Sequence, residues 1–276
     1  MSNIPISVLV TTKNEEKNIE RCLLSLSDFA EVIVIDSHST DRTVELAQKL
    51  GVNCTNFMWD GQYPKKRQWC LGTLKIKYNW VFWVDADEAL STEIIEEIRE
   101  LFTKDVKQAG FFVKGQYIIG AKSLRYGLRN NKLALFDRTK IEFPRVDDLD
   151  IEGMGEIEGH YQPVLKVGYQ NEIIGSLKQS LRHYAYDDQK AWSMRHEKYA
   201  KWEARMIVRN AYPNEPVRVR GFVKNLTRRS LFRPYMMFFY SYIYKLGFLD
   251  GRAGYAFAQS RKAYCDMVRT ELKALS

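Results

Sequence analysis

Near the front of the chain, three short apolar runs each stop at a polar cluster carrying carboxylates. Ile6-Ser7-Val8-Leu9-Val10 leads into Thr11–Glu15, Val32-Ile33-Val34-Ile35 into Asp36–Asp41, and Trp80-Val81-Phe82-Trp83-Val84 into Asp85–Glu88. Runs this short and this apolar read as buried strands. Helix-spaced stretches lie between them. Glu15–Phe29 carries Ile19, Cys22, Leu23 and Leu26 on one face. A second helix carries Val44, Ala47 and Leu50, with Ser39 or Thr40 as its cap and Gly51 as its stop. A short strand is expected around 52–55, and Ser91 opens a helix whose Ile94, Ile95, Ile98, Leu101 and Phe102 share a face. Alternating strands and helices dictate parallel pairing with right-handed crossovers. Sheets of that kind bind ligands outside the carboxyl ends of their strands. The three polar clusters therefore belong on one edge of one sheet.

After residue 110 the pattern changes to a mixed α+β half, with strands expected at Phe111–Ile119, Lys132–Phe136 and within Ile173–His183. A long helix is expected from Asp187 to Asn210, with Trp192, Tyr199, Trp202 and Met206 near helical spacing. The stretch Asn210–Glu215, which contains Pro213, divides the chain into 1–212 and a C-terminal appendage, 213–276.

Asp85-Ala86-Asp87-Glu88 is the strongest chemical signal. Several carboxylates at the end of a buried strand are costly unless they meet a cation or water. Hard divalent ions accept one or two carboxylates and take further oxygens from substrate phosphates. Asp36, also at a strand end, can accept hydrogen bonds from a ribose or base. No Gly-rich phosphate loop accompanies it, which disfavours a dinucleotide. Thr11-Thr12-Lys13-Asn14-Glu15 alone reads as an ordinary strand-to-helix cap.

Taken together, "VLVTTKNEE", "VIVIDSHSTDRT" and "VFWVDADE" resemble the nucleotide-sugar-binding half of family 2 glycosyltransferases. The resemblance implies the GT-A fold: an α/β, Rossmann-like mixed sheet flanked by helices, here followed by a C-terminal helical appendage. It implies a donor-binding set of Thr11, Asn14, Glu15, Asp36 and Ala86, with Glu15 and Asp36 on the base and ribose of a UDP- or related nucleotide sugar. Asp85 and Asp87 are implied to hold Mg2+ or Mn2+ on the diphosphate. Pro64-Lys65-Lys66-Arg67-Gln68-Trp69 resembles the family's basic helix start, which places Lys65 and Arg67 toward the diphosphate, with Gln68 replacing the commoner Asn. Family members of this kind invert the anomeric centre, so a carboxylate must deprotonate the acceptor hydroxyl. Glu156 is the favoured base and Glu158 the next, both in the Gly-rich "IEGMGEIEGHYQP" with Glu152 and His160. Asp147 and Asp148 are weaker candidates. His183 is expected first as a packed histidine and second as a metal ligand; His38 and His196 are given no role.

Composition bears on partners. The 42 basic residues exceed the 34 acidic ones by 8, which favours an anionic partner. Between Pro216 and Leu249 lie Arg218, Arg220, Lys224, Arg228, Arg229, Arg233 and Lys245 with no Asp or Glu, beside the aromatic run Tyr235–Tyr244. Basic residues beside an aromatic face suit an anionic membrane interface. The alternatives for this segment are packing on the catalytic domain or a homodimer contact. Phe248-Leu249-Asp250-Gly251 and the helix after it resemble the tail of lipopolysaccharide-core-type members of the family. A glycan or lipid-linked acceptor follows as an expectation. The competing readings are a polyprenyl-phosphate glycosyltransferase and a non-catalytic membrane-surface binding protein. Nucleic acid is disfavoured, because carboxylates at successive strand ends repel phosphates. Four scattered cysteines, no signal-peptide pattern and no apolar run of spanning length point to a cytoplasmic enzyme, peripheral on the inner face of a bacterial membrane.

Overall fold

A computed structural model of the chain describes residues 3–151, 161–184, 189–212, 215 and 218–275. Its centre is a sheet that runs β3-β2-β1-β4-β8-β6-β11-β5. The strands are β1 (Ile4–Thr12), β2 (Phe29–Asp36), β3 (Asn53–Asn56), β4 (Trp80–Asp85), β5 (Glu88–Ala89), β6 (Gly110–Ile119), β7 (Lys122–Ser123), β8 (Asn130–Asp137) and β11 (Ile174–His183). Strand β7 folds back on the end of β6. Two further short strands, β9 (Ile141–Glu142) and β10 (Val164–Leu165), form their own antiparallel ladder.

Strands β1 to β4 pair in parallel, as the alternation predicts. Their register sets the strand ends level: Thr12 pairs with Asp36, and Thr11 with Asp85. Strand β8 then enters antiparallel between β4 and β6, which makes the sheet mixed. Ile6, Val8, Val10, Val34, Val81 and Val84 are fully buried. Each such side chain contributes about 1.5–3 kcal/mol of transfer free energy, which fixes these strands at the centre and leaves their polar ends to emerge together.

The helices α1 (Ile19–Leu24), α2 (Thr43–Lys49), α3 (Lys66–Thr73) and α4 (Thr92–Leu101) flank the sheet. Helix α1 is shorter than the sequence predicts. The Glu15 amide donates to Thr43 Oγ1 (2.8 Å) and the Glu16 amide to Asp41 Oδ2 (3.1 Å), so these residues are committed to a loop. At α2 the predicted cap is corrected. Asp41 accepts from the Thr43 amide (3.0 Å), whereas Ser39 and Thr40 bond to Asp36 and Asn14. Ser91 does precede α4, and Gly51 follows α2 with φ 73°.

Helix α5 (Gln189–Arg209) ends where a boundary is expected, with Asn210 at φ 52°. Beyond it lie α6 (Arg218–Arg228), α7 (Arg233–Phe239), a π turn at Tyr240–Tyr244, a short 3-10 turn at Gly247–Asp250 and α8 (Gly251–Ala274). This tail is tied to the sheet. Buried Asp250 accepts from the amides of Arg125 (3.2 Å) and Tyr126 (2.8 Å). Gly254 packs so closely on the turn before it that a Cβ there would lie 1.9 Å from the Gly247 carbonyl oxygen. Glu203 of α5 receives Arg233 Nη2 (2.5 Å) and the Tyr264 hydroxyl, joining α5, α7 and α8. Among the described residues no helix is long and apolar enough to cross a membrane.

Candidate active site

The polar edge is assembled by register. Thr11 Oγ1 donates to Asp85 Oδ1 (3.0 Å), and the Ala86 amide donates to the Thr11 carbonyl (3.2 Å). Asp85 also receives Arg67 Nη2 on Oδ1 (3.2 Å) and Lys132 Nζ on Oδ2 (2.9 Å). Lys132 reaches on to Glu88 Oε2 at 2.5 Å, and the same oxygen accepts the Asp85 amide at 2.9 Å. Burial opposes ionisation of Asp85, but the charges of Lys132 and Arg67 prevail and hold it well below the usual carboxylate range. Glu88, almost fully buried, is pushed up, first by burial. Its role is to clamp the Asp85–Glu88 turn, and its Oε1 has no hydrogen-bond partner among the described residues.

Asp87 has a different partner. Its Oδ2 lies 3.4 Å from His183 Nε2 at the end of β11, with both side chains 13% exposed. Burial opposes charge on each. The mutual attraction outweighs it, lowering the Asp87 carboxyl and raising the His183 imidazole. His183 stacks on Tyr117 (ring centroids 5.0 Å), and Tyr117 packs on Phe257 of α8 (4.8 Å). The C-terminal helix thus braces the far side of the site. No three His, Cys, Asp or Glu side chains converge on one point among the described residues. Asp87 and His183 are the residues of this edge that could hold a divalent ion, with its other positions left to water or substrate oxygens.

The other predicted residues occupy the two loops beside this turn. Asn14, at φ 56°, accepts the Thr40 amide on Oδ1 (2.8 Å) and donates its own amide to Ser39 Oγ (2.8 Å). Asp36 is 4% exposed and accepts Ser39 Oγ (2.5 Å) and the Ser39 amide (2.9 Å). Its carboxylate thereby stitches the β2 loop, which in turn holds the β1 loop. Glu15 accepts Asn18 Nδ2 (2.7 Å); burial first, and then the charge of Asp87, push its carboxyl up to about 7. Arg195 of α5 opposes that shift and also acts on Asp87, which makes it a third cation around the edge.

Lys65 stands elsewhere than expected. It is 1% exposed, and its Nζ meets Asp148 Oδ2 at 2.8 Å. Asp148, fully buried, also accepts Tyr63 (2.7 Å) and Trp202 Nε1 (2.8 Å). This buried knot ties the residues before α3 to the segment before residue 151 and to α5. Arg67, the second residue of α3, reaches Asp85. Asp147 is exposed. Glu152, Glu156, Glu158 and His160 lie outside the described residues.

Sequence reasoning misses Lys132. The signal that could have found it is the register. Strands β4 and β8 pair Trp80 with Asp137, Val81 with Phe136 and Phe82 with Leu135. Continued three residues further, the same register sets Lys132 opposite Asp85. Neither the orientation nor the neighbour of β8 is fixed by its own residues.

A family model described as Glycosyl transferase family 2 matches residues 7–151. Over 98 residues, 35% of this chain and 32% of the relative, the sequence is 41% identical to an uncharacterized glycosyltransferase of Rickettsia bellii. Over 123 residues, 42% of this chain and 44% of the relative, it is 31% identical to the lipopolysaccharide core biosynthesis glycosyltransferase LpsC of Rhizobium meliloti. These matches span about a third to less than half of the curated relatives' length. Among solved structures, the mannosyltransferase PcManGT of Pyrobaculum calidifontis, in complex with GDP-Man and Mn2+, aligns over 99% of this chain and 88% of that one. The TM-score is 0.53 at 14% identity, a likeness of fold.

Proposed function

The chain belongs to glycosyl transferase family 2, and on that premise we propose that it moves a sugar from a nucleotide-diphosphate sugar, most simply a UDP-sugar, to a cell-envelope glycan or lipid-linked acceptor. One observation carries the reading. Asp85 at the end of β4 and Asp87 two residues on have different partners, one held by Arg67 and Lys132 and the other facing His183. That division separates a positively charged cradle for a diphosphate from a ligand pair for Mg2+ or Mn2+.

A bound divalent ion supplies Lewis acidity to the leaving diphosphate. Asp87 and His183 would hold it; Arg67 and Lys132 stand where negative charge builds as the bond breaks. Thr11, Asn14, Glu15 and Asp36 shape the adjoining loops for the nucleoside, and the Ala86 amide keeps the turn on β1. The acceptor hydroxyl gives its proton to a carboxylate, assigned to Glu156 or, failing that, Glu158. Its oxygen attacks the anomeric carbon from the face opposite the diphosphate. The carbon–oxygen bond to phosphate breaks, and a nucleoside diphosphate leaves with inversion.

Likeness to LpsC over part of the chain supports a cell-envelope acceptor. The exposed apolar side chains of the C-terminal segment, Phe222, Leu226, Phe232 and Phe239 among them, support work at the inner membrane surface of a bacterial cell. A thermal-shift panel of UDP-, dTDP- and GDP-sugars with and without Mn2+ tests the donor half. A ligand at about 100 times its Kd stabilises by about 2.7 kcal/mol. One nucleotide family should raise the melting temperature only when metal is present. A panel in which no nucleotide sugar shifts the melt would overturn the reading.

A further inference from the structure

A second concave site lies in the C-terminal segment, away from the donor edge. A cavity of about 450 Å³ opens between the end of α5, the turn after α6 and the last turns of α8. Arg228, Arg229, Arg233, Arg269 and Lys273 line it, and no acidic residue does. Its floor is apolar, with Ile207, Val268 and Leu272.

The cations are not equivalent. Arg233 and Arg269 have carboxylate partners in Glu203 and Asp266. Arg228 instead donates to the Asn225 side-chain amide oxygen and Arg229 to the Ile207 carbonyl, both neutral acceptors. Neither has a carboxylate counter-ion among the described residues. Arg233 keeps Nη1 buried with no acceptor among the described residues. Two guanidinium groups without a carboxylate partner, above an apolar floor, call for an anion that also has an apolar part.

The rim says where that apolar part lies. Leu231, which lines the cavity, is 66% exposed, Phe232 beside it 71%, and Leu226 one turn back 71%. A soluble phosphate would use the arginines and leave these side chains in water. An anionic lipid uses both, with its phosphate on the guanidinium groups and its chains against the exposed rim.

We infer that this cavity is a headgroup site for an anionic phospholipid, which docks the C-terminal segment on the membrane. The inference rests on the membrane reading proposed above and names the contact that would realise it.

The test is co-sedimentation of the full chain with vesicles of phosphatidylcholine alone or with about a third phosphatidylglycerol. Wild type should pellet with the anionic vesicles only. The double variant Arg228→Gln/Arg229→Gln should weaken binding about tenfold or more, since each basic residue near an anionic surface counts strongly. Arg228→Lys/Arg229→Lys keeps the charge and should retain most binding, which separates charge from any loss of the Arg228 stack on Tyr212. Leu231→Ser, on a mostly exposed side chain, should also weaken it while leaving the melting temperature unchanged. Soluble glycerol phosphate should not displace the protein. Wild type that ignores anionic vesicles overturns the membrane reading together with this site. Wild type that binds equally with Arg228→Gln/Arg229→Gln overturns the site alone. Displacement by glycerol phosphate would make it a soluble-phosphate site and overturn the lipid assignment.

Discussion

Lys132 of β8 and Asp85 of β4 face each other across the antiparallel seam of an otherwise parallel half-sheet, Nζ to Oδ2 at 2.9 Å. The contact gives β8 a purpose beyond filling the sheet. It brings a cation from the mixed part of the sheet onto the carboxylate at the end of β4.

Replacing Lys132 by Gln should weaken folding, since buried Glu88 loses its cation, and should also cost transfer in the protein that remains folded. Asp85 keeps Arg67 and Thr11, so the turn survives, but the cradle loses a cation. Turnover should fall about 100-fold, the order found when a preorganised charge-stabilising group is removed. Steady-state kinetics with the donor found by the thermal-shift panel checks this. Equal kcat/KM for variant and wild type would remove Lys132 from the account.

His183→Ala tests the metal pair. Loss of one of two protein ligands should raise the Mn2+ concentration needed for half-maximal donor binding about tenfold or more. Phe257→Ala, which removes the brace behind Tyr117, should move the same midpoint in the same direction by a smaller factor. A Mn2+ titration of donor-induced stabilisation reads both.

Lys65 distinguishes a structural role from a donor contact. Removing one partner of a buried ion pair costs about 3–5 kcal/mol. Lys65→Ala should lower the urea midpoint by a corresponding amount, because Asp148 is left buried with its charge. If stability is unchanged and only donor affinity falls, Lys65 belongs to the diphosphate site instead.

Glu15 predicts a pH signature. Its carboxyl titrates near 7 in the folded chain against 4.5 for an unperturbed glutamate, through burial first and the charge of Asp87 second. The folded state therefore binds more protons over that interval, and stability falls as pH rises through it. Glu15→Gln removes the penalty and can still accept from Asn18. Between pH 5 and pH 8 the wild-type melting temperature should fall by several degrees more than the variant's. Parallel curves would contradict the shift.

The strand ends are legible in the sequence because parallel register is dictated by alternation, and alternation is written in local residues. Thr11, Asp36 and Asp85 fall on one edge by that reasoning alone. The length of α1 is not legible. Its predicted first turn is claimed by Asp41 and Thr43 from another loop, a non-local competition. Lys65 is misplaced by the sequence for a similar reason. Its partner Asp148 is far along the chain, and nothing near Lys65 announces a buried acid. The basic C-terminal run reads as a surface, yet Arg233 is spent on Glu203 of α5 and Lys224 on Glu215, just before the run. What remains exposed there is chiefly apolar.

Release of nucleoside diphosphate from the stabilising nucleotide sugar, with Mn2+ and with a chelator, tests the central claim most directly. The account predicts metal-dependent turnover in the wild type and a loss of about 100-fold or more in Asp87→Ala, measured well below that variant's own melting temperature. Turnover that persists in Asp87→Ala and is indifferent to the chelator would contradict it.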